Sequence, residues 1–357
     1  MIRFGLVGCG RIARRHADLL GKGEIAGAEL VAVCDVDEAK ARKYGEEFGI
    51  PYYSDMREMA AFPDVDALAV LTESGYHAEN VLTLAPFGKH LLVEKPMALT
   101  LADADRMIAA CDKHDVRLFV VKQNRFNLPV VKLREALEAG RFGRLVMGTV
   151  RVRWCRRQAY YDQDEWRGTW ALDGGVLANQ ASHHIDLLEW MMGQVDSVYA
   201  VSRTALADIE AEDTAVVVLK FTNGALGIIE ATTATRPTDL EGSLSLLGEH
   251  GTVEIAGFAV NEIRHWRFEE PTSDDDNVLE KFSTNPPNVY GFGHREYYQH
   301  VVECIQHDKQ QLVDGLEGRK SLELISAIYE SIETGNEVKL RFSPAECRLG
   351  ILSTAAR

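Results

Sequence analysis

The feature that most constrains this chain is an apolar segment that leads directly into a glycine turn and a helix. Residues 2–7 form a short apolar run typical of a buried strand, and G-C-G-R-I-A follows at 8–13 before a helical pattern begins. Gly8 permits a tight turn, Gly10 lets a pyrophosphate approach the backbone, and Ala13 keeps the helix close to the strand. Because the helix N-terminus offers free N–H groups to phosphates, we expect a dinucleotide-binding unit here.

The next strand indicates which dinucleotide is bound. It spans Glu29 to Cys34 and ends in Asp35, where a carboxylate can accept hydrogen bonds from the ribose hydroxyls. The same carboxylate would repel a 2′-phosphate, and no arginine directly follows it. The pattern therefore favours NAD over NADP.

Strands and helices continue to alternate through the first third of the chain. Predicted helices span Asp37–Phe48, Tyr76–Phe87 and Leu101–His114, and predicted strands span Asp66–Leu71, Lys89–Val93 and Val116–Val121. Repeated units of this length predict a parallel sheet with right-handed crossovers. We expect residues 1–122 to form an NAD-binding Rossmann domain, with the loops at 72–77 and 94–96 lining its cofactor cleft.

The remainder of the chain, residues 123–357, has a different pattern. Predicted strands span Leu145–Trp154, Val195–Arg203, Thr214–Phe221, Ala225–Thr233, Ser243–Gly248 and Thr252–Ala256, and predicted helices span Pro129–Ala139, Tyr297–His307 and Gly318–Thr334. Asn223-Gly224 is a hairpin signal, Gly335 is a helix C-cap signal, and the Asp-rich stretch 272–281 is interpreted as a mobile loop. The fold class is α/β, with a C-terminal α+β domain built on a large, mostly antiparallel, open-faced sheet.

Composition excludes several classes of function. A length of 357 residues favours two domains, and a net charge of -15 argues against nucleic acid and anionic membranes as partners. Six scattered cysteines without a C-x-x-C pair indicate reduced thiols, neither a disulfide framework nor a zinc site. No apolar run reaches the ~18 residues of a membrane span. The N-terminus enters a strand directly, so we expect a soluble, cytoplasmic protein without a signal peptide or a metal.

Two segments carry the candidate chemistry. Pro96 moves Lys95 out of the helical region, at the carboxyl end of a parallel strand where open α/β sheets bind ligands. Residues 173–186 resemble a helix opened by two glycines, on which Asn179, His183 and Asp186 would share a face. Each feature also has an ordinary interpretation, as a surface lysine or a core histidine, and the histidine and aspartate could alternatively bind a metal, although no third ligand is evident.

Together, the 8–13 turn, Asp35, Glu94-Lys95-Pro96 and the histidine helix resemble the glucose–fructose oxidoreductase, inositol dehydrogenase and MocA (Gfo/Idh/MocA) family over essentially the whole chain. The resemblance implies oxidation or reduction of a sugar or cyclitol hydroxyl by a nicotinamide, and dimers or tetramers formed through the C-terminal sheet. It also implies a catalytic lysine and histidine, which carry over to Lys95 and His183. Family members usually carry G-G-G and an aspartate four residues before the histidine, whereas this chain has Asp-Gly-Gly at 173–175 and Asn179.

A narrower resemblance is to the UDP-N-acetylglucosaminuronate 3-dehydrogenase subgroup. It rests on the segments 122–125, 166–170, 179–180, 236–237 and 248–249. It implies NAD-dependent oxidation of the 3″-hydroxyl of UDP-N-acetyl-α-D-glucosaminuronate in lipopolysaccharide O-antigen biosynthesis, by a homodimer or homotetramer. Basic side chains that could neutralise a diphosphate and a uronate are Lys122, Arg125, Arg156, Arg157 and Arg236.

The site residues follow from these patterns and from the resemblance. His183 is predicted as the base, and Lys95 as the group that orients the hydroxyl or relays its proton. Predicted cofactor contacts are Gly8, Gly10, Arg11, Ile12, Asp35, Thr72, Ser74, His77, Glu94, Lys95, Gln123, Trp166 and Arg167; predicted substrate contacts are Lys95, Arg156, Asn179, His183, Arg236 and Tyr290. The alternatives are a dehydrogenase of a free sugar or inositol, a dinucleotide-binding sensor without turnover, and a zinc-dependent dehydrogenase.

Overall fold

Alternating strands and helices form the first part of the chain in the computed structural model, which describes residues 1–284, 286 and 291–340. The elements are β1 (Ile2–Val7), α1 (Ala13–Gly21), β2 (Ala28–Cys34), α2 (Glu38–Phe48), β3 (Tyr52–Tyr53), α3 (Met56–Ala60), β4 (Ala67–Val70), α4 (His77–Leu84), β5 (His90–Val93), α5 (Leu101–Lys113) and β6 (Leu118–Val120). The predicted elements are confirmed to within a few residues. The short β3 and α3 were not predicted.

The first sheet has six strands in the order β3-β2-β1-β4-β5-β6, all of them parallel. Its strands are buried on both faces, and Leu6 and Val7 of β1 lie in two different apolar clusters. The strand order reverses between β1 and β4, and such a switch point is where open α/β sheets bind ligands. The carboxyl ends of β1, β2, β4 and β5 therefore bring the 8–13 turn, Asp35, Thr72 and Lys95 to one edge of the sheet.

The second part of the chain is built on a larger sheet. Its elements are α6 (Leu128–Glu138), β7 (Leu145–Arg153), α7 (Gln158–Tyr161), α8 (Ser182–Met192), β8 (Val195–Arg203), β9 (Thr214–Phe221), β10 (Leu226–Thr232), β11 (Glu241–Gly248), β12 (Gly251–Ala256), β13 (Glu262–Phe268), α9 (Val278–Lys281), α10 (Gly293–His307), α11 (Gly315–Thr334) and β14 (Val338–Lys339). Gly335 caps α11 in the left-handed conformation, as predicted. Strand β13 was missed.

This sheet has eight strands in the order β13-β12-β11-β7-β10-β9-β8-β14. All neighbours are antiparallel except β10 and β7, so the prediction of a mostly antiparallel sheet is confirmed. Residues of β9 alternate, with Val217 and Leu219 buried and Val216 and Val218 exposed. One face packs on α8 and α11, and the other face is open.

Helices α10 and α11 return to the first sheet although they follow the second sheet in the chain. Tyr298 of α10 packs edge-on against Phe4 of β1, and Leu322 of α11 shares a cluster with Val93 of β5. Residues on both sides of the predicted boundary at 122 therefore share cores.

The Asp-rich stretch 272–281 is not an unstructured loop. It contains a 3-10 turn at Ser273–Asp275 and the short helix α9. Two nitrogens of Arg141 donate to Asp275 at 2.7 Å, and the indole N–H of Trp266 donates to the same carboxylate at 2.6 Å. These long-range partners fix the segment, and the local composition could not reveal them. Among the described residues, no helix has the length and apolar character that crossing a bilayer requires.

Candidate active site

The 8–13 turn leaves room for a dinucleotide. Gly8 has φ +97°, and a Cβ at this position would meet the Leu71 carbonyl group at 2.9 Å, so the turn requires glycine. A Cβ built on Gly10 meets nothing within 4 Å, so the protein does not fill the space above this residue. Arg11 is exposed and Ile12 half-buried at the start of α1. This open space at a helix N-terminus fits a pyrophosphate.

Asp35 is placed directly beside this turn. Its Oδ2 accepts the Cys9 N–H at 2.7 Å, and its Oδ1 accepts the Asp37 N–H at 2.8 Å. These two bonds fix the carboxylate at the end of β2, where a ribose would lie. The position agrees with the predicted preference for NAD.

His77 joins the two loops that line the cofactor edge. Its Nδ1 lies 2.8 Å from the Pro96 carbonyl oxygen, and its Nε2 lies 3.0 Å from the Thr72 carbonyl oxygen. Asn80 also donates to the Thr72 hydroxyl at 2.8 Å, and Ser74 is buried in the same loop. The buried imidazole thus lies between the two loops, and burial lowers its pKa, which favours the neutral form that donates to one of the two carbonyl oxygens at a time.

Glu94 lies in a buried cluster that the sequence did not predict. Its Oε1 is 3.1 Å from His16 Nε2 and 3.8 Å from His294 Nε2, while its Oε2 accepts the Lys95 N–H at 3.0 Å. Burial alone would raise the pKa of Glu94, but hydrogen bonds from the two histidines hold it well below its usual range. His16 also contacts the Tyr298 hydroxyl at 2.6 Å.

This cluster is the group among the described residues whose composition would suit a metal, since its ligand atoms lie within 4.8 Å of one another. We interpret it as a hydrogen-bonded anchor for the carboxylate that precedes Lys95. His16 and Glu94 are already engaged by protein partners on both sides.

Lys95 extends from the end of β5 into the second domain. Its Nζ donates to the Asn179 main-chain oxygen at 2.9 Å and to Asn179 Oδ1 at 3.3 Å. Behind the amide, Asn179 Nδ2 donates to Asp173 Oδ1 at 2.6 Å. Desolvation lowers the pKa of Lys95, so its amine form is more populated than that of a surface lysine.

His183 lies on the same side of the cleft. Its Nε2 is 3.0 Å from Gln123 Nε2, which places the glutamine amide between the histidine and the end of β6. Burial and the nearby charges of Lys95 and Lys122 hold the pKa of His183 well below 6.5, so the imidazole is neutral at physiological pH. Gln123 itself is buried and lies within the first turn after β6.

The helix around His183 begins later than predicted. It starts at Ser182, and the residues from Asp173 to Ala181 form successive turns. Asn179 therefore does not share a helix face with His183. Instead, the backbone bonds from Asn179 N to Gly175 O and from Ala181 N to Val176 O place its side chain toward Lys95.

Asp186 is a structural partner, which argues against the alternative of a metal site with His183. Arg125 donates to both of its oxygens at 2.8 Å, and Lys122 Nζ lies 3.5 Å from Oδ1, with all three side chains buried. Despite burial, these cations lower the pKa of Asp186 to about 2. Lys122 and Arg125 are therefore committed to Asp186 and not free to neutralise a substrate.

Two other candidate cations lie together at the ends of β7 and β10. Arg156 donates to Asp239 Oδ1 at 2.9 Å, and Arg236 donates to the Thr235 carbonyl at 2.8 Å and the Arg156 carbonyl at 3.3 Å. Arg157, between these segments, is exposed.

Two further predicted cofactor contacts, Trp166 and Arg167, lie on the loop after α7. Arg167 donates to Asp164 at 2.8 Å, and its guanidinium lies 4.7 Å from the ring centroids of Trp166 and Tyr160. Tyr290 lies outside the described residues.

Two family models match this chain. One, for an oxidoreductase NAD-binding Rossmann fold, matches residues 2–122, and the other, for an oxidoreductase C-terminal alpha/beta domain, matches residues 134–340.

Two dehydrogenases of known structure and one further relative are also similar to this chain. The WlbA dehydrogenase from Bordetella pertussis, in complex with NADH and UDP-GlcNAcA, is 44% identical over 96% of this chain and 99% of its own, with a TM-score of 0.88. The WlbA dehydrogenase from Chromobacterium violaceum, also in complex with NADH and UDP-GlcNAcA, is 43% identical over 96% and 97%, with a TM-score of 0.90. A myo-inositol 2-dehydrogenase from Thermotoga maritima is 37% identical over 64% of this chain and 68% of its own. The chain belongs to the Gfo/Idh/MocA family of NAD-dependent oxidoreductases.

Proposed function

We propose that this protein oxidises the 3″-hydroxyl of UDP-N-acetyl-α-D-glucosaminuronate to the 3-keto sugar. The observation that carries the proposal is 43–44% identity, along nearly the whole chain, to two dehydrogenases solved with NADH and UDP-GlcNAcA. Whatever its exact substrate, the protein is an NAD-dependent sugar dehydrogenase. A role in lipopolysaccharide O-antigen biosynthesis in the cytoplasm, as a homodimer or homotetramer, is part of the same proposal.

The residues at the edge of the first sheet fit NAD. The open space at Gly10 would take the pyrophosphate, and the Asp35 carboxylate would accept the ribose hydroxyls. When bound, NAD supplies a nicotinamide that accepts hydride from the substrate carbon. Lys95, at the end of β5 on this edge, and His183, which contacts Gln123 from α8, would then face the hydroxyl on that carbon.

The protein's own contribution to the reaction is proton removal. A hydroxyl with a pKa near that of water, about 16, cannot ionise first near pH 7, because the alkoxide would cost roughly 12 kcal/mol. The proton must therefore leave as the hydride leaves. His183 is neutral and can accept it, and Lys95, held by Asn179, can orient the hydroxyl or relay the proton. General-base assistance of this kind is typically worth about 10²–10⁴ in rate.

The charges of the proposed substrate need cationic partners. Lys122 and Arg125 are buried against Asp186, whereas Arg156, although it pairs with Asp239, keeps 15% of its side chain exposed. The diphosphate and the uronate would therefore be recognised by Arg156, Arg157 and Arg236 at the ends of β7 and β10. Asn179 could add a hydrogen bond to the sugar with its second amide hydrogen.

A dehydrogenase of a free sugar or cyclitol is the second candidate. The similarity to a myo-inositol 2-dehydrogenase, 37% over 64% of this chain, favours it. It predicts turnover that does not depend on a UDP moiety.

The test is calorimetric binding of UDP-N-acetylglucosaminuronate to the NAD-loaded protein, with absorbance at 340 nm followed in the same samples. Free glucuronate and myo-inositol are the controls. UDP-dependent binding accompanied by NADH formation supports the proposal. NADH formation from myo-inositol alone, or no binding of the nucleotide sugar, removes it and leaves the second candidate.

A further inference from the structure

We propose that Asp173 is a positioning residue for the reaction, which acts through Asn179 to set the orientation and proton affinity of Lys95. The inference rests on the proposed role of Lys95 in proton transfer. It assigns a function to a buried carboxylate that lies one side chain behind the predicted site.

The contacts form one continuous chain from the loop after α7 to the amine. The Gly168 N–H donates to Asp173 Oδ2 at 2.8 Å, and Asn179 Nδ2 donates to Asp173 Oδ1 at 2.6 Å. Asn179 Oδ1 then accepts from Lys95 Nζ at 3.3 Å. Asp173 is only 1% exposed, so it has no direct access to a substrate.

This chain determines which end of the Asn179 amide faces Lys95. A carboxylate can only accept hydrogen bonds, so it fixes Nδ2 toward Asp173 and leaves Oδ1 toward the lysine. Without Asp173, the amide could rotate and present its N–H groups to Lys95, which would disfavour the ammonium form. The carboxylate therefore selects the acceptor orientation.

The same arrangement also orients the lone pair of the Lys95 amine, or the remaining N–H of its ammonium form. Asn179 offers two acceptors to Nζ, its main-chain oxygen at 2.9 Å and its Oδ1 at 3.3 Å. A neutral amine has two N–H groups, and when both are donated to Asn179 its lone pair points to the remaining side. An ammonium in the same position keeps one N–H for a substrate oxygen. Either form presents a single, defined partner to the substrate.

Several other titratable groups face this pair and must be considered in any pH measurement. Those acting on Lys95 are Glu94, Lys122, Arg167 and His183, and those near Asp173 are Arg167, Tyr161 and Glu212. Burial raises the pKa of Asp173 to about 6, so its charge is present at neutral pH and is lost on mild acidification.

The test uses the full-length chain and the variants Asp173→Asn, Asn179→Ala and the double variant. Glu212→Gln is the matched control, because Glu212 is a buried carboxyl that supports the same segment through the Leu177 N–H and the Tyr329 hydroxyl. Two quantities are measured: the pH midpoint for reductive methylation of Lys95, read by peptide mass spectrometry, and the turnover number.

We expect Asp173→Asn to move the methylation midpoint of Lys95 to lower pH by about one unit, because the Asn179 amide can then turn its N–H groups toward the ammonium and the negative charge of Asp173 is lost. Turnover should fall roughly 10- to 100-fold from loss of orientation. Glu212→Gln should leave the midpoint unchanged. In the Asn179→Ala background, Asp173→Asn should cause no further loss of turnover, and the midpoint should move by less than it does when Asn179 is present, because only the direct effect of the Asp173 charge remains.

An unchanged midpoint in Asp173→Asn, or the same loss of turnover with and without Asn179, would overturn the proposal. If Asp173→Asn does not fold, Asn179→Ala breaks the same chain at its middle, and an unchanged midpoint there is equally decisive. Since methylation requires no sugar, a shifted midpoint without turnover of the nucleotide sugar would reject the proposed function and retain this inference.

Discussion

At the scale of single residues, the proton chemistry depends on the environment of Lys95 and His183, which favours their neutral forms. Desolvation lowers the pKa of both, and the nearby charges of Lys95 and Lys122 lower that of His183 further. Because the folded-state pKa of each is depressed, each neutral form persists to lower pH than in the unfolded chain. Activity should accordingly extend well below the ordinary pKa of a lysine.

Replacing either residue separates binding from chemistry. We expect His183→Asn and Lys95→Met to keep NAD binding, because the glycine turn and Asp35 remain intact even though Lys95 is one of the predicted cofactor contacts. Turnover should fall by about 10²–10⁴ in each, the usual worth of general-base assistance. NADH fluorescence titration and steady-state rates are the two measurements. Full activity in His183→Asn would reject its assignment as the base.

Substitution of Gly10 should affect NAD binding, whereas substitution of Gly8 should affect the stability of the fold. Gly10→Val places its side chain in open space, so thermal stability should be retained while NAD binding is lost. Gly8→Val places a branched residue at φ +97° against the Leu71 carbonyl, so the protein itself should be destabilised. Differential scanning fluorimetry with and without NAD distinguishes the two. Normal NAD affinity in Gly10→Val would contradict the proposed pyrophosphate position.

Residues within one strand–turn–helix unit could be predicted from the sequence, because their spacing along the chain fixes their spacing in space. Gly8, Gly10 and Asp35 belong to this group. His16 does not, because its partner Glu94 is 78 residues away in the chain. Asp173 does not either, because it is only six residues from Asn179 but reaches the site through Lys95, which is 84 residues from Asn179.

At the scale of elements, a buried ion pair fixes α8 beside the cofactor domain. Asp186 of α8 accepts both hydrogen bonds from Arg125, which lies in the turn after β6, and Arg125 also pairs with Glu317 of α11 at 3.0 Å. Three elements thus converge on one guanidinium. Because His183 lies one turn earlier on α8, this pair also determines where the imidazole sits.

Asp186→Asn should destabilise the protein by about 3–5 kcal/mol, because it leaves two buried cations without their partner. The exposed pair of Glu38 and Arg42 provides a control, and Glu38→Gln should cost less than about 1 kcal/mol. Urea unfolding at pH 7 measures both. Equal losses would contradict the special role of the buried pair.

The pH dependence of that contribution follows from its sign. The pKa of Asp186 is about 2 when folded, below its ordinary value of 3.8. The stabilisation is therefore fully present above pH 4 and is lost as pH falls toward 2.

The start of α8 shows where element prediction fails. A run of residues with helical spacing, from Gly175 to Asp186, indicated one helix, yet the backbone forms turns as far as Ala181. Contacts that the sequence does not reveal support those turns, among them the bond from the Val176 N–H to the Glu212 carbonyl. The long periodic strands, by contrast, were predicted almost to the residue.

At the scale of the whole molecule, the open face of the second sheet is an unusual surface. Tyr199 pairs with Val218 and Val201 with Val216 across β8 and β9, and each of the four is 45–52% exposed. Contiguous exposed apolar side chains of this kind mark association surfaces. They agree with the dimers or tetramers that the family resemblance implies.

The double variant Val216→Lys/Val218→Lys should reduce any assembly formed through this face to a smaller species, because it would place four lysines at each contact between two copies of the sheet. Leu316→Lys, the same kind of apolar-to-lysine change at an exposed position on α11, should leave the sedimentation coefficient unchanged. Sedimentation velocity measures both. An unaltered sedimentation coefficient in the double variant would exclude this face.

The return of α10 to the first sheet has a consequence for synthesis of the protein on the ribosome. The sequence pattern predicts that the cofactor domain ends at residue 122, but Tyr298 and Cys304 of α10 also belong to its core. At about 5–20 residues per second, the roughly 180 residues in between take about 10–40 s to appear. For that interval the first sheet of the nascent chain lacks the helix that covers one of its faces. The apolar residues of that face therefore stay exposed, or are protected by another protein, until α10 has been translated.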